Sequence, residues 1–175
     1  MLRLSNRGRY AIRAVFDLAF HTSASNGLES RQPPAQVRVV AERQRIPLRF
    51  LEQIFQELKR AGLVESKRGP QGGFRLVRSP NEVRLGDVLR AVEGPVALAP
   101  RLGPRKRVEN LARAVDLHDI ADAFLVDVGR SVERCFDDVT LRDLCDRGEE
   151  LGLRAVASPA RSGSAVSRGP VRWTI

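Results

Sequence analysis

The chain has 175 residues, of which 42% are hydrophobic, and its formal net charge is +9. This is enough apolar material for one ordinary domain with an appendage. No apolar run approaches the roughly 20 residues of a membrane span, and the N-terminus lacks the apolar segment of a signal peptide, so we expect a cytoplasmic protein with no membrane partner. Two cysteines, Cys135 and Cys145, make no disulfide framework and agree with a reducing compartment.

The positive charge is concentrated in the first half of the chain. Residues 1–80 hold 15 Lys and Arg against 6 Asp and Glu, whereas residues 81–175 hold 15 of each kind. Residues 108–150 carry 5 basic and 12 acidic side chains. A basic domain joined to an acidic one is typical of a nucleic-acid reader with a separate assembly or sensing module. An arginine-rich composition that merely follows a GC-rich genome would not explain the difference between the halves.

The first part of the chain predicts two helices and the start of a third. The apolar pattern of residues 5–22 predicts the first helix, with Ser5 or Asn6 as its N-cap. Residues 37–41 have the apolar spacing of a short second helix. Pro47 then suits the entry of a third helix, because proline has no amide hydrogen to donate and is tolerated at a helix start.

The stretch from Arg49 to Leu76 is the most informative part of the sequence. Its apolar residues recur at i, i+3, i+4 and i+7 and so form one face of a helix: Leu51, Ile54, Phe55 and Leu58. Polar side chains lie off that face: Arg49, Gln53, Gln56 and Arg60. Gly62 ends the helix, and the Gly- and Pro-rich residues 69–73 predict the turn of a cationic hairpin. This order of elements predicts a winged helix-turn-helix, which lays one helix in the DNA major groove and touches the flank with the wing.

Residues 117–136 predict a long amphipathic helix. Its apolar side chains recur at steps of three and four: Leu117, Ala121, Phe124, Leu125, Val128, Val132 and Phe136. Such a stripe must be covered, and a twin helix from a second subunit would bury it and provide the two-fold symmetry of a palindromic operator. Packing against its own head is the alternative. Residues 152–175 are rich in Ser, Gly and other small residues, which favours a flexible tail.

With these segments the chain resembles the IscR/NsrR-type (Rrf-two) family of bacterial transcription regulators. The matching segments are LSNRGRYAIR (4–13), AERQRIPLRFLEQI (41–54), LKRAGLVESKRGPQGGFRL (58–76), LGDVLRAVEG (85–94) and VTLRDL (139–144). The resemblance implies a mainly α fold with a small β-wing and a homodimer that binds double-stranded DNA. We expect the winged helix-turn-helix domain over residues 1–94, a linker and dimerisation helix over 95–150, and the tail over 151–175.

The resemblance also implies roles for individual residues. Base readout falls on Arg49, Glu52 and Gln53. The wing tip falls on Arg68, Gly69, Gln71 and Gly72. Phosphate contacts fall on Ser5, Arg7 and Tyr10, and the dimer interface on the apolar stripe of residues 117–132. The chemistry agrees, because Arg pairs with guanine, Gln with adenine and Glu with the cytosine amino group. In the alternative reading, Glu52 merely pairs with Arg49 or Gln56 on a solvated face.

In one respect the chain departs from the family's pattern. Many members hold an iron–sulfur cluster on three closely spaced cysteines just after the segment that corresponds to residues 92–95. Residues 96–117 contain no cysteine here, so the usual cluster cannot be built and we expect no cofactor. Cys135 is expected to pack as a small apolar group, with a redox role for either cysteine as the alternative. His21 and His118 have no second ligand at metal-binding spacing, so no metal site is expected.

The sequence therefore predicts a homodimeric, sequence-specific DNA-binding transcription regulator without the usual cluster. Its resemblance to the cluster-free branch of the family implies that a partner protein supplies the signal. The alternative is a winged-helix adaptor that works through its acidic helix and its tail. An enzyme is not indicated, because the residue types present do not assemble a nucleophile–His–carboxylate set or a phosphate-binding loop.

Overall fold

The computed structural model describes residues 4–23, 34–69, 72–98 and 117–153. Its elements in chain order are α1 (Asn6–Ser23), α2 (Val37–Gln44), α3 (Leu48–Arg60), β1 (Val64–Lys67), β2 (Gly73–Leu76), α4 (Leu85–Glu93), α5 (Leu117–Asp137) and α6 (Leu141–Glu150). The predicted mainly α fold with a small β-wing is thus confirmed. Within the described part of the chain, no helix is both long and apolar enough to cross a membrane.

Helix α1 lies at the centre of the core and packs against α2, α3, α4 and α6. The hydroxyl of Ser5 accepts hydrogen bonds from the amides of Arg7 and Gly8, both at 3.1 Å, and so caps the helix start. The buried positions of α1 recur at steps of three and four along one side: Ala11, Ala14, Val15, Leu18 and Ala19. Helix α1 therefore supports α3, which is called the reading helix below because it carries the residues predicted to read bases.

The turn between α2 and α3 is tight. Arg45 adopts a left-handed conformation with φ of 51°, and the buried Ile46 donates its amide to the carbonyl of Ala41 at 3.0 Å. Helix α3 then begins directly after Pro47. All four residues of its predicted apolar face are buried: Leu51, Ile54, Phe55 and Leu58. Gly62, with φ of 70°, reverses the chain after α3, as expected for a left-handed helix end.

The wing is an antiparallel hairpin in which Val64 pairs with Leu76 and Lys67 pairs with Gly73. Phe74 of β2 stacks on Phe55 of α3, with ring centroids 4.6 Å apart, and so fixes the hairpin to the reading helix. The backbone of Phe74 also exchanges two hydrogen bonds of 2.8 Å with Ala35, ahead of α2. Gly73 is required there, because a Cβ atom would lie 2.2 Å from the Ala35 carbonyl oxygen.

The long helix α5 is joined through its C-terminal end to the head, which comprises α1–α4 and the hairpin. Arg90 of α4 donates to both carboxylate oxygens of Asp137, at 3.0 and 2.8 Å, and these hydrogen bonds raise the pKa of the guanidinium. Two backbone hydrogen bonds of 2.9 Å join the segments that flank this pair: the amide of Leu85 donates to the carbonyl of Val139, and the amide of Leu141 donates to the carbonyl of Val83. Thr140 caps α6 through a reciprocal pair of bonds with Asp143. Helix α6 packs on α1 and adds Leu141 and Cys145 to the head's core: both are buried.

Candidate nucleic-acid interface

The polar side of α3 is open to solvent. Arg49, Glu52 and Gln53, predicted to read bases, are all exposed, while the nearby Leu51 and Ile54 are fully buried. Because each helical residue turns the chain by about 100°, Arg49 and Gln53 lie on the side opposite the core and Glu52 lies on a flank. The structure therefore leaves the three predicted base-reading side chains accessible together in the first turns of α3, the part of a recognition helix that contacts base edges.

The predicted phosphate contacts at the start of α1 have partners within the protein. The Ser5 hydroxyl donates to Glu93 at 2.6 Å while it caps α1. The Arg7 guanidinium donates to both carboxylate oxygens of Glu57 on α3, with 3.1 Å between Nε and Oε2. This ion pair uses Nε and Nη2 of Arg7. Its other terminal nitrogen, Nη1, takes no part in the pair.

Tyr10, the third predicted phosphate contact, is half-buried between α1 and α3. Its ring meets that of Phe50 edge to face, with centroids 5.9 Å apart and an interplanar angle of 87°. The guanidinium of Arg13 lies 5.8 Å from the Tyr10 ring centroid and also donates to the carbonyl of Gln44. Tyr10 thus links the N-terminal half of α1 to the first turn of the reading helix.

The wing turn is partly described. Arg68 and Gly69 are exposed, and Gly69 has φ of 111°, a conformation that favours glycine. Gly72 is buried, and a Cβ atom there would lie 2.2 Å from the Lys67 carbonyl oxygen. Gln71 lies outside the described residues. The described wing residues place an exposed guanidinium at the tip of a hairpin that is fixed to α3.

Phe50 and Glu57 were not singled out by the sequence pattern. They are seven residues apart and therefore share one flank of α3, where they contact Tyr10 and Arg7 of α1. Phe50 had a signal in the sequence, since it is an aromatic residue off the apolar stripe. Glu57 had none, because its partner is 50 positions away in the chain.

The predicted dimer stripe on α5 is largely exposed in the single chain. Phe124 is 68% exposed, Ala121 and Leu125 are exposed, and Val128 and Val132 are half-buried. The side chain of Leu117 lies outside what the structure describes. On another side of α5, Gly129 lies close to Val96, whose amide donates to Glu133 at 2.8 Å. The helix therefore rests on its own chain by one side and exposes an apolar side.

The two thiols do not fit a three-cysteine cluster site, because the chain has two cysteines in total. Cys145 is buried in the core, and burial raises the pKa of its thiol to about 11. Cys135 is exposed in the single chain, on the same side of α5 as Val128 and Val132, so the apolar packing predicted for it requires a partner that covers this side. Over the described residues, no group of three or more His, Cys, Asp or Glu side chains could hold a metal ion.

A buried helix face on α1, an exposed polar face on α3 and an attached hairpin together define a winged helix-turn-helix protein. Residues 4–147 match the model of the Rrf2 family, described as an iron-dependent transcriptional regulator. The chain belongs to the Rrf2 family of transcriptional regulators, as its resemblance predicted, and is a DNA-binding regulator of the IscR-like kind. The relatives that it matches are transcriptional regulators, not enzymes.

Individual relatives support this membership. The chain is 33% identical over 163 residues to the regulator IscR of Pectobacterium carotovorum subsp. carotovorum (strain PC1). This match spans 90% of this chain and 92% of that relative. It is 41% identical over 95 residues to IscR of Aliivibrio salmonicida (strain LFI1238), and this match spans 54% of this chain and about half (52%) of that relative.

Solved structures show the same fold. T. potens IscR superposes with a TM-score of 0.65 and 31% identity, covering 87% of this chain and 92% of that one. CymR (YrzC), the global cysteine regulator of B. subtilis, superposes with a TM-score of 0.60 and 26% identity, covering 84% of this chain and 98% of that one.

Proposed function

We propose that the chain is a sequence-specific DNA-binding regulator that acts as a homodimer on a palindromic operator and holds no iron–sulfur cluster. The observation that carries this proposal is the accessible polar face of α3, with Arg49 and Gln53 outermost, beside a hairpin that presents Arg68. In the major groove, Arg49 would donate to a guanine edge, Gln53 would bind an adenine edge and Glu52 would accept from a cytosine amino group.

The distribution of charge supports the same placement. Residues 1–80 have a large excess of basic side chains, and Arg68 is exposed at the wing. Phosphate contacts hold a DNA-binding protein in register while base contacts select the sequence. Ser5, Arg7 and Tyr10 at the start of α1 would provide phosphate contacts beside α3, since Arg7 and Tyr10 already contact that helix.

Dimerisation is supported by the exposed apolar side of α5. A shallow groove runs along this helix and is lined in part by Phe124, Val128 and Val132. A twin helix packed on it would remove these side chains from water, at about 25 cal/mol for each Å² of apolar surface buried. The winged-helix parts of the two subunits, related by a two-fold axis, would then face two half-sites of opposite orientation.

The proposed absence of a cluster is supported by the small number of thiols. Of the two thiols, Cys145 is enclosed by the core, which leaves a single accessible thiolate donor, Cys135. We propose that the signal instead comes through a partner protein. Iron and acid-labile sulfide measured on protein purified without oxygen should both be far below one equivalent per chain, and a visible charge-transfer band with stoichiometric iron would contradict the cluster-free proposal.

The DNA-binding proposal is tested by selecting duplexes from a random pool with the wild-type protein. The enriched sites should contain an inverted repeat. On that site Gln53→Ala should lose about 1–3 kcal/mol of binding free energy but change little on random DNA. Arg68→Ala should weaken binding to both. If no sequence is enriched at near-physiological salt, the regulator proposal fails and an adaptor that works through its acidic helix and tail takes its place.

A further inference from the structure

The exposed surface of α3 is polar except in its first turn. Leu48 is 40% exposed and Phe50 is 41% exposed, whereas the other exposed positions of this helix are polar or charged: Arg49, Glu52, Gln53, Gln56, Lys59 and Arg60. The buried side of the helix already contains Leu51 and Phe55, both fully buried. Phe50 is therefore an aromatic side chain that the protein core does not use.

The ring of Phe50 is held in place. The edge-to-face contact with Tyr10 fixes one side of it, and the Tyr10 ring is in turn contacted by the guanidinium of Arg13. A ring that is already ordered loses little conformational entropy when a ligand contacts it. Phe50 is thus a preorganised apolar surface within one residue of Arg49, in the turn that enters the major groove in the proposed complex.

The chemistry of the groove limits what such a surface can contact. The major-groove edges of the four base pairs offer hydrogen-bond donors and acceptors, and the apolar group they carry is the C5 methyl group of thymine. Phosphate oxygens are charged and gain nothing from an apolar neighbour. The apolar ring therefore has one matching partner among base edges.

We propose that Phe50 contacts the C5 methyl group of a thymine in each half-site and so selects thymine at one position. This inference rests on the proposed function, because it requires α3 to lie in the major groove. Burial of one methyl or methylene group corresponds to about a fourfold change in affinity. Removing the thymine methyl group should therefore weaken binding by about that factor. Removing the Phe50 ring should make the affinity independent of that methyl group.

The experiment uses full-length protein and its selected duplex, in which each thymine is replaced in turn by deoxyuridine, which lacks only the C5 methyl group. Wild type, Phe50→Ala and Phe50→Leu are titrated against every duplex. Leu48→Ala is the matched control, because Leu48 is equally exposed but lies about 200° away around the helix. Thermal unfolding of each variant confirms that it folds.

For the wild type, one symmetric pair of replacements should weaken binding about fourfold per half-site. Phe50→Ala should bind the two duplexes equally, Phe50→Leu should keep part of the difference, and Leu48→Ala should keep all of it. The inference is overturned if the same replacement affects wild type and Phe50→Ala alike, or if the selected half-site requires no thymine. Both results leave the proposed function standing, whereas failure to enrich any site overturns the proposed function itself.

Discussion

Asp17 of α1 and Arg43 of α2 form an ion pair of 2.7 Å in which the carboxylate is completely buried. The second oxygen of Asp17 accepts a hydrogen bond from the side-chain amide of Gln44 at 2.9 Å. Both donors are on the last turn of α2, immediately before the turn that leads into α3. The pair therefore fixes the angle at which α2 and the reading helix leave α1.

We predict that Asp17→Ala lowers the free energy of unfolding by about 3 kcal/mol, because breaking a buried pair leaves the remaining charge without its partner. Urea unfolding followed by circular dichroism measures this change. The control is Arg38→Ala, which removes an exposed ion pair with Glu42 on α2, the helix that also carries Arg43. It should lower the free energy of unfolding by less than about 1 kcal/mol. Equal losses in the two variants would show that Asp17 contributes no more than a surface charge.

This buried pair also shows the limit of prediction from sequence. The apolar repeat on α3 and the glycine after it predicted this helix and its end correctly, because helix periodicity and helix ends are local properties of the chain. Asp17–Arg43 and Arg7–Glu57 join residues far apart in sequence, and no local pattern marks them. Charged side chains on an amphipathic helix are expected in solvent, so a buried Asp within α1 is set by tertiary packing alone.

The two cysteines differ in a way that composition did not reveal. Since burial raises the pKa of the Cys145 thiol to about 11, about one molecule in a thousand carries the reactive thiolate there at pH 8. The proposed dimer would cover Cys135 together with Val128 and Val132, so the comparison uses the folded monomer expected of Phe124→Glu, described below. We predict that iodoacetamide modifies Cys135 much faster than Cys145 in that monomer, as measured by mass spectrometry of peptides over time. In concentrated urea the two rates should converge. Equal rates in the folded protein would contradict the buried position of Cys145.

The exposed side of α5 gives a prediction about assembly. Phe124→Glu should convert the dimer to a monomer, because an unpaired carboxylate would lie where the twin helix packs, at a cost of several kcal/mol. Since Phe124 is 68% exposed in the single chain, the monomer itself should stay folded. Ala123→Glu places the same carboxylate on a neighbouring exposed position about 100° around the helix and should remain dimeric. Light scattering at micromolar concentration checks both, and a monomeric wild type would contradict the two-fold assembly.

The Arg7–Glu57 pair gives a prediction about the salt dependence of DNA binding. If Arg7 neutralises a phosphate, Arg7→Ala should weaken binding to every sequence and make the slope of log K against log salt shallower by about 1. Glu57→Gln keeps a hydrogen-bond acceptor beside Arg7 but removes the opposing charge, so it should strengthen binding to random DNA.

The Arg7–Glu57 pair acts as a unit only if the effect of each substitution on DNA binding depends on whether the other residue is present. Glu57→Gln should therefore have a smaller effect when combined with Arg7→Ala than it has alone, because the guanidinium it releases is then missing. Binding titrations of the wild type, both single variants and the double variant at several salt concentrations measure this coupling. Additive effects would mean that Glu57 acts on DNA as a distant charge, and that its bidentate contact with Arg7 serves only to hold α1 against α3.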